Sequence, residues 1–281
     1  MLSWQVGRVK ITRIVEMDLP VPAGVIPQAT PAELRKMPWL YPHFVSDDGS
    51  TLRLSVHALL VEAPGMRLVV DTCIGNDRPR EITGGRALAT PFLEQLGAAG
   101  WSRDSVDGVV CTHLHTDHVG WNTMLANGSW VPTFPQARYF IGRHEYEFWS
   151  TCDDEEQQTM LGDSIKPILD AGLVELVEPD HVISPELRLI PSPGHTPGHV
   201  CVLIESEGER AVITGDIAHH PSQIARHEWS FSDSDHRVAV NTRSRLFAEW
   251  ADQPILVIGS HFSAPTAGHV RRDGDSFRFE V

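Results

Sequence analysis

Three histidines and one aspartate fall within six residues, directly after an apolar run. The run is Val109-Val110-Cys111, and the cluster is His113-Leu114-His115-Thr116-Asp117-His118. An apolar run that ends in such a cluster is typical of a buried strand followed by a functional loop. With a period of two along an extended chain, His113 and His115 point the same way. Imidazole and carboxylate groups at this spacing are ligands that zinc prefers, whereas a lone histidine would favour a structural role.

Three later segments repeat this arrangement. Pro193-Gly194-His195-Thr196-Pro197-Gly198-His199 surrounds a histidine with Gly and Pro, which predicts a rigid turn between two strands. Val212-Ile213-Thr214-Gly215-Asp216 is an apolar strand that ends on a carboxylate, and Ile258-Gly259-Ser260-His261 is one that ends on a histidine. Each segment places a candidate metal ligand at the tip of a strand.

The remaining pattern predicts an α/β fold of mixed sheets covered by helices. Pro-rich residues 19–50 form a long excursion with one short helix, which Thr30 caps and Pro31 begins. Such an excursion favours an active-site wall or an oligomer contact, with a plain surface loop as the alternative. Strands are predicted at 6–16, 52–62, 66–72, 108–112, 138–141, 173–177, 187–190, 200–205, 211–214, 255–258, 270–272 and 277–279, and helices at 90–99, 145–149, 153–171 and 235–251.

Length and composition narrow the class of protein. The chain has 281 residues and no evident linker, which predicts a single domain over 1–281. The net charge of −14 and the absence of basic runs argue against nucleic acid and anionic membranes as partners. No signal peptide or apolar run of about 20 residues is evident. Three of the four scattered cysteines lie in or beside apolar strand-like runs and fit buried thiols, so we expect a cytoplasmic protein.

In this order, the four ligand segments resemble the metallo-β-lactamase superfamily. Its pattern of H-x-H-x-D-H, a distal His, a bridging Asp and a final His is complete here, and the resemblance covers essentially the whole chain. It implies a four-layer αββα sandwich of two mixed sheets with flanking helices and metals at one edge. It also implies a cofactor of two zinc ions, with manganese, iron or cobalt as alternatives.

The resemblance implies a role for each ligand position. His113, His115 and His195 would bind the first metal, and Asp117, His118 and His261 the second, while Asp216 would bridge both. A family turn is matched at Asp71-Thr72, where the Asp usually orients a ligand imidazole. A simple turn residue is the alternative for Asp71.

Asp216 and its surroundings separate the chain from several branches of the superfamily. Subclasses of true β-lactamase have a Cys at this position or lack the bridging carboxylate, which disfavours β-lactams as the main substrate. The complete ligand set disfavours single-iron dioxygenases. The carboxyl-terminal third looks most like the methyl parathion hydrolases and lactonases, for example at 215–219 and 259–262. Acyl-homoserine lactonases place a Tyr three residues after the bridging Asp, where this chain has His219, as in the methyl parathion hydrolases.

These features predict a hydrolase of lactones or other carboxylic esters. Two zinc ions would share a bridging water and lower its pKa toward ~7, giving a hydroxide nucleophile. Asp117 would pass protons, and His219 or His220 would donate to the oxyanion or leaving group. The candidate pocket wall, for which core or dimer packing is the alternative, is Trp39, Tyr41, Phe44, Trp229 and Phe231.

Three other functions are compatible with the same ligand segments. They are a phosphotriester hydrolase, a thioesterase resembling glyoxalase II, and a non-enzymatic metal-binding sensor. We expect a small-molecule substrate, and residues 19–50 are a candidate homodimer contact.

Overall fold

A computed structural model describes the chain from Met1 to Val281 and confirms the expected α/β class. Two seven-stranded mixed sheets dominate the structure. The strands are β1 (Ser3–Val6), β2 (Val9–Pro22), β3 (Thr51–Ala63), β4 (Met66–Val70), β5 (Pro79–Arg80), β6 (Arg86–Ala87), β7 (Gly108–Cys111), β8 (Thr123–Ala126), β9 (Ser129–Pro132), β10 (Arg138–Gly142), β11 (Val174–Val177), β12 (Val182–Ser184), β13 (Leu187–Pro191), β14 (Val200–Ser206), β15 (Glu209–Ile213), β16 (Ile255–Ile258), β17 (Ala267–Asp273) and β18 (Ser276–Glu280).

The α-helices are few and mostly short. They are α1 (Pro31–Leu34), α2 (Phe92–Ala98), α3 (Arg143–Ser150), α4 (Glu155–Met160), α5 (Lys166–Asp170), α6 (Ser222–Ala225) and α7 (His236–Trp250). Helix α1 begins as predicted, because the Thr30 side chain accepts a hydrogen bond from the Glu33 amide. No helix has the length and apolar character needed to cross a bilayer.

The chain forms two compact units. The first consists of Met1–Glu16 and Val56–His181, and the second of Met17–Ser55 and Val182–Val281. Two of the three boundaries fall inside the long strands β2 and β3, and the third precedes β12. A single domain over 1–281 stays a prediction.

In the first unit, the central strands place the H-x-H-x-D-H segment at one sheet edge. The strand order is β1-β2-β3-β4-β7-β10-β11, and β4, β7, β10 and β11 pair in parallel. Val69 lies beside Val109 in this register. Strands β4 and β7 therefore end side by side, with Asp71 following one and Thr112 the other.

In the second unit, the strand order is β12-β13-β14-β15-β16-β17-β18. Strands β15 and β16 are parallel, with Ile213 beside Ile258, whereas β14 is antiparallel to β15. The ends of β15 and β16 and the start of β14 consequently share one edge. The segments that carry Asp216, His261 and His195 all follow or precede these strand ends.

Two element predictions were wrong in detail. The strand predicted over 6–16 begins only at Val9, where β2 starts, because Val6 ends β1 and pairs with Val9 across a turn in which Gly7 has a φ of 53°. The helix predicted over 153–171 is interrupted at 161–165 by a π-helical turn. Pro167 has no amide hydrogen to donate, so it breaks the regular hydrogen-bond ladder there.

The hairpin β8–β9 was missed, although the sequence contains its signal. Asn127 and Gly128 connect the strands with φ values of 52° and 79°. Asn-Gly is the preferred pair for a tight turn with two positive φ angles.

Candidate metal centre

The first unit gathers its four candidate ligands after β7. The Nε2 atom of His113 lies 3.0 Å from the Nδ1 atom of His115, and the His113 and His118 rings are 4.1 Å apart. The Oδ1 atom of Asp117 is 3.8 Å from the Nε2 atom of His118. The His113 and His118 rings are buried, whereas 14% of the Asp117 side chain is exposed.

Asp71 fixes the orientation of His118. Its Oδ1 atom accepts from the Thr112 amide at 2.8 Å, and its Oδ2 atom accepts from the Thr112 hydroxyl at 2.9 Å. The Nδ1 atom of His118 is 2.8 Å from the same Oδ2 atom. A carboxylate only accepts, so Nδ1 carries the proton and Nε2 of the neutral ring presents a lone pair. Asp71 therefore makes the contact expected of a carboxylate that orients a ligand imidazole.

Two residues that sequence reasoning did not single out hold this loop. The buried Oε1 atom of Glu145 accepts from the Leu114 amide at 3.0 Å and from the Trp149 indole at 2.7 Å. At Gly120, an added Cβ would overlap the Ile74 carbonyl, so the close approach of these backbones requires glycine.

The second unit directs three imidazoles at one carboxylate oxygen. The Oδ2 atom of Asp216 is 3.6 Å from Nε2 of His195, 3.2 Å from Nε2 of His219 and 3.2 Å from Nε2 of His261. All four side chains are buried. Ligand atoms of His195, Asp216 and His219 lie within 4.8 Å of one another, as in a candidate His/Asp metal site.

His261 and Asp216 form an arrangement that a metal ion would stabilise. Its Nδ1 atom is 3.0 Å from the Ser55 carbonyl oxygen, which can only accept, so Nδ1 carries the ring proton. A neutral ring then turns the lone pair of Nε2 toward the Asp216 oxygen at 3.2 Å. Two electron pairs at this distance repel unless a proton or a metal ion lies between them. The nitrogen and oxygen donors fit a zinc ion.

Asp233 is a further residue that the sequence did not identify as part of the site. Its buried Oδ1 atom lies 3.7 Å from Nδ1 of His195, and its Oδ2 atom accepts from the buried Arg243 at 2.9 Å. Burial opposes ionisation of Asp233, but His195 and Arg243 together hold the pKa of its carboxyl well below the usual range. The amides of Ser234 and Asp235 bind the carbonyls of His195 and Gly194, which keeps this loop against the histidine.

We expect Asp233→Asn to weaken zinc binding about 10–100-fold, because the carboxylate that faces His195 is lost. The variant also leaves Arg243 buried beside a neutral group, which costs about 3 kcal/mol of unfolding free energy. Asp163→Asn is the matched control, because Asp163 pairs with the buried Arg80 at 2.6 Å and its carboxylate accepts from Arg78 and Ser164, neither of which is a candidate ligand. Competition with a chromophoric chelator and thermal unfolding separate the two effects. Equal loss of zinc affinity in both variants would contradict the role of Asp233.

The two adjacent histidines, His219 and His220, have different surroundings. Both are buried, and burial lowers the pKa of each to about 4, so both rings are neutral at neutral pH. Nε2 of His220 is 2.9 Å from the Phe44 carbonyl, and its Nδ1 is 2.8 Å from the Ser222 hydroxyl. Both nitrogens of His220 are thus used in local structure, whereas Nε2 of His219 reaches Asp216.

The candidate pocket residues lie in different surroundings. Phe44 and Trp229 are buried in the hydrophobic core of the second unit, the environment that the sequence left open as their alternative. Trp39 lines a cavity of about 550 Å³ with Met37 and Phe277, and no candidate ligand borders it. Tyr41 is partly buried against the same core. Phe231 alone approaches the candidate site, with its ring 4.7 Å from that of His219.

Comparison with known proteins gives concordant matches. The model of the Metallo-beta-lactamase superfamily matches residues 51–261. An N-acyl homoserine lactonase from Bacillus sp. is 28% identical over 225 residues, which are 75% of this chain and 83% of that protein. The structure of hydrolase AbOPH, described as in the beta lactamase superfamily, has a TM-score of 0.80 at 26% identity and covers 99% of this chain and 96% of its own. The structure of AidC, a dizinc quorum-quenching lactonase, has a TM-score of 0.79 and covers 99% of this chain and 96% of its own. At 20% sequence identity, this likeness shows the fold alone.

These matches confirm the predicted resemblance and fold, and the relatives are hydrolases, which confirms the expected enzyme class. The matched range includes every candidate ligand from His113 to His261. Both clusters follow strand ends, as the ordered ligand pattern predicts. The chain belongs to the metallo-β-lactamase superfamily.

Proposed function

We propose that this chain is a hydrolase of lactones or related carboxylic esters that uses two zinc ions. The observation that carries the proposal is Nε2 of His261 facing the Asp216 carboxylate with Nδ1 held by the Ser55 carbonyl, an arrangement that a bound metal ion would stabilise. His118 in the first unit repeats it, because Asp71 holds its Nδ1 proton and its Nε2 atom is directed toward Asp117. Both sets of donors are therefore oriented for metal before any substrate arrives.

The proposed ligands follow the ordered pattern of the superfamily. They are His113, His115 and His195 for one ion, Asp117, His118 and His261 for the other, and Asp216 for both. His113 fits this assignment, because the Thr112 hydroxyl donates to Asp71 and can accept the Nδ1 proton of His113 at 3.1 Å. That leaves Nε2 of His113 as a donor to metal.

When bound, the zinc ions would activate water and polarise the substrate carbonyl. The side chains then have separate tasks. In lactone hydrolysis a water oxygen adds to the carbonyl carbon, the ring carbon–oxygen bond breaks, and the ring oxygen receives a proton. Asp117 holds and returns that proton, since it is the more exposed member of its pair with His118. Neutral His219 donates from Nε2 to the carbonyl oxygen as negative charge develops there.

Lactones are the proposed substrate class because of the relatives and of the apolar Phe231 ring at the candidate site. N-acyl homoserine lactonases from Bacillus sp. and Bacillus cereus match at 28% and 25% identity. The ring of Phe231 beside His219 would supply apolar contact for an acyl group. Asp216 contributes a carboxylate where several true β-lactamases have a thiol, so a β-lactam is not the proposed substrate.

A hydrolysis screen tests the proposal. Zinc-loaded protein is incubated with N-acyl homoserine lactones, aryl esters, thioesters and phosphotriesters, and acid release is followed at constant pH. We expect the highest kcat/KM on lactones, with no turnover by chelator-treated protein or by Asp216→Asn. Turnover of phosphotriesters or thioesters without lactone hydrolysis would overturn the proposed substrate class. Activity that survives complete metal removal would overturn the proposed chemistry.

A further inference from the structure

His199 is a buried histidine of the ligand segment 193–199 that the proposed ligand set does not use. It lies just before β14, and its Nε2 atom accepts a hydrogen bond from the backbone amide of Asp216 at 2.8 Å. Its Nδ1 atom is 2.8 Å from the Ser192 hydroxyl. This histidine therefore contacts the main chain of the residue proposed to bridge the metals.

The contact fixes the protonation of His199. A backbone amide can only donate, so Nε2 must be the unprotonated nitrogen of a neutral ring. Nδ1 consequently carries the proton and donates it to the Ser192 hydroxyl oxygen. A doubly protonated or inverted ring would place a hydrogen against the Asp216 amide hydrogen.

The amide that His199 accepts belongs to an irregular turn. Asp216 has a φ of −102° and a ψ of 27°, which lie outside both the strand and the helix regions. A buried amide at such a position needs an acceptor, and the His199 imidazole provides one. Because the side chain of Asp216 projects from this backbone, its direction depends on the same hydrogen bond.

Further hydrogen bonds hold the imidazole in place. The Ser192 amide donates to the His199 carbonyl at 3.0 Å, and the Cys201 thiol is 3.3 Å from the Ser192 hydroxyl. The same thiol is 3.2 Å from the Thr214 carbonyl. Burial raises the pKa of the Cys201 thiol to about 12, so it stays protonated and can donate. Hydrogen bonds thereby connect the ends of β13 and β15 with the start of β14, next to the turn that carries Asp216.

We propose that His199 is a positioning residue that directs the Asp216 carboxylate toward the metals through its backbone amide. The inference rests on the proposed function, in which Asp216 binds both ions. Hydrogen-bond partners of metal ligands contribute about 10–100-fold to metal affinity. We therefore expect His199 to act on metal affinity without touching substrate.

His199→Leu and His199→Gln form the informative pair of variants. Leucine fills the space but accepts no hydrogen bond, whereas the glutamine amide oxygen can replace Nε2 as acceptor. Zinc affinity is measured by chelator competition without substrate, and cobalt-loaded protein reports ligand geometry by its absorption spectrum. We expect His199→Leu to lose about 10–100-fold in affinity with an altered cobalt spectrum, and His199→Gln to recover most of both.

His269→Leu is the matched control. This residue of β17 also bonds the main chain, with Nδ1 2.9 Å from the Ile255 carbonyl at the start of β16, away from the end that carries His261. We expect it to lower thermal stability and leave zinc affinity unchanged. Ser192→Ala provides a milder change if His199→Leu does not fold, since it removes the acceptor for Nδ1 and should lower affinity several-fold.

Three results separate the possible failures. If the wild-type chain binds zinc and His199→Leu or Ser192→Ala binds it equally well, the positioning role is overturned while the proposed function stands. If His199→Leu and His199→Gln lose affinity equally, the acceptor role is also overturned. A wild-type chain that binds no zinc would overturn the proposed function and this inference together.

Discussion

Asp216→Ala is expected to lose at least one metal ion and nearly all hydrolysis while the fold is retained. The Oδ2 atom of Asp216 is the point toward which His195, His219 and His261 direct their Nε2 atoms. Removing the carboxylate takes away the proposed bond to each ion and the negative charge that would balance the two cations. No other single ligand is proposed to contact both metals, so the effect should exceed that of any terminal ligand.

Metal content by mass spectrometry, turnover and circular dichroism measure the three parts of this prediction. Asp235→Ala is the matched control, because Asp235 caps α7 by accepting from the Val238 amide at 3.0 Å. Loss of such a cap costs about 1 kcal/mol and should leave both metals bound. An Asp216→Ala protein with both metals and near-normal turnover would show that Asp216 is not the bridge.

His219→Phe is expected to lower kcat by about 10²–10³ while both metals stay bound, as for the loss of an oxyanion donor. Phenylalanine keeps the ring contact with Phe231 but cannot donate. His219→Tyr should restore part of the rate on lactones, since its hydroxyl donates at any pH below ~10.

Steady-state kinetics and metal content of the same preparations check this result. His220→Phe is the neighbouring comparison, and we expect it to reduce the free energy of unfolding, because it breaks the hydrogen bonds to Phe44 and Ser222. An unchanged kcat for His219→Phe on the best substrate would leave His219 a structural residue. Loss of metal from His219→Phe would instead make it a ligand.

The strand ends and candidate ligands could be predicted from the sequence because their signals are local. The apolar run before His113 and His115 predicts a buried strand, and the spacing of two predicts that both side chains point in the same direction. Strands β4 and β7 pair in parallel, so Asp71 in the turn after β4 lies beside Thr112, which follows β7. The position of Asp216 and of His261 after parallel strands follows in the same way.

Contacts between distant segments could not be predicted. Asp233 meets His195 only because Arg243 on α7 and the amides after Asp233 hold the loop there. His199 looked like part of a turn motif, and its bond to the Asp216 amide depends on the pairing of β14 with β15. Phe44 is a candidate for either a pocket wall or a core from sequence, because composition alone does not distinguish the two, and it lies in the core of the second unit.

The number of metal ions per chain tests the central claim most directly. Protein purified without chelator, and apoprotein reloaded with zinc, are analysed by inductively coupled plasma mass spectrometry alongside lactone turnover. The proposal predicts close to two zinc ions per chain and activity that rises only as the second ion binds. One ion per chain at full activity would contradict it, and would remove Asp117, His118 and His261 from the catalytic centre.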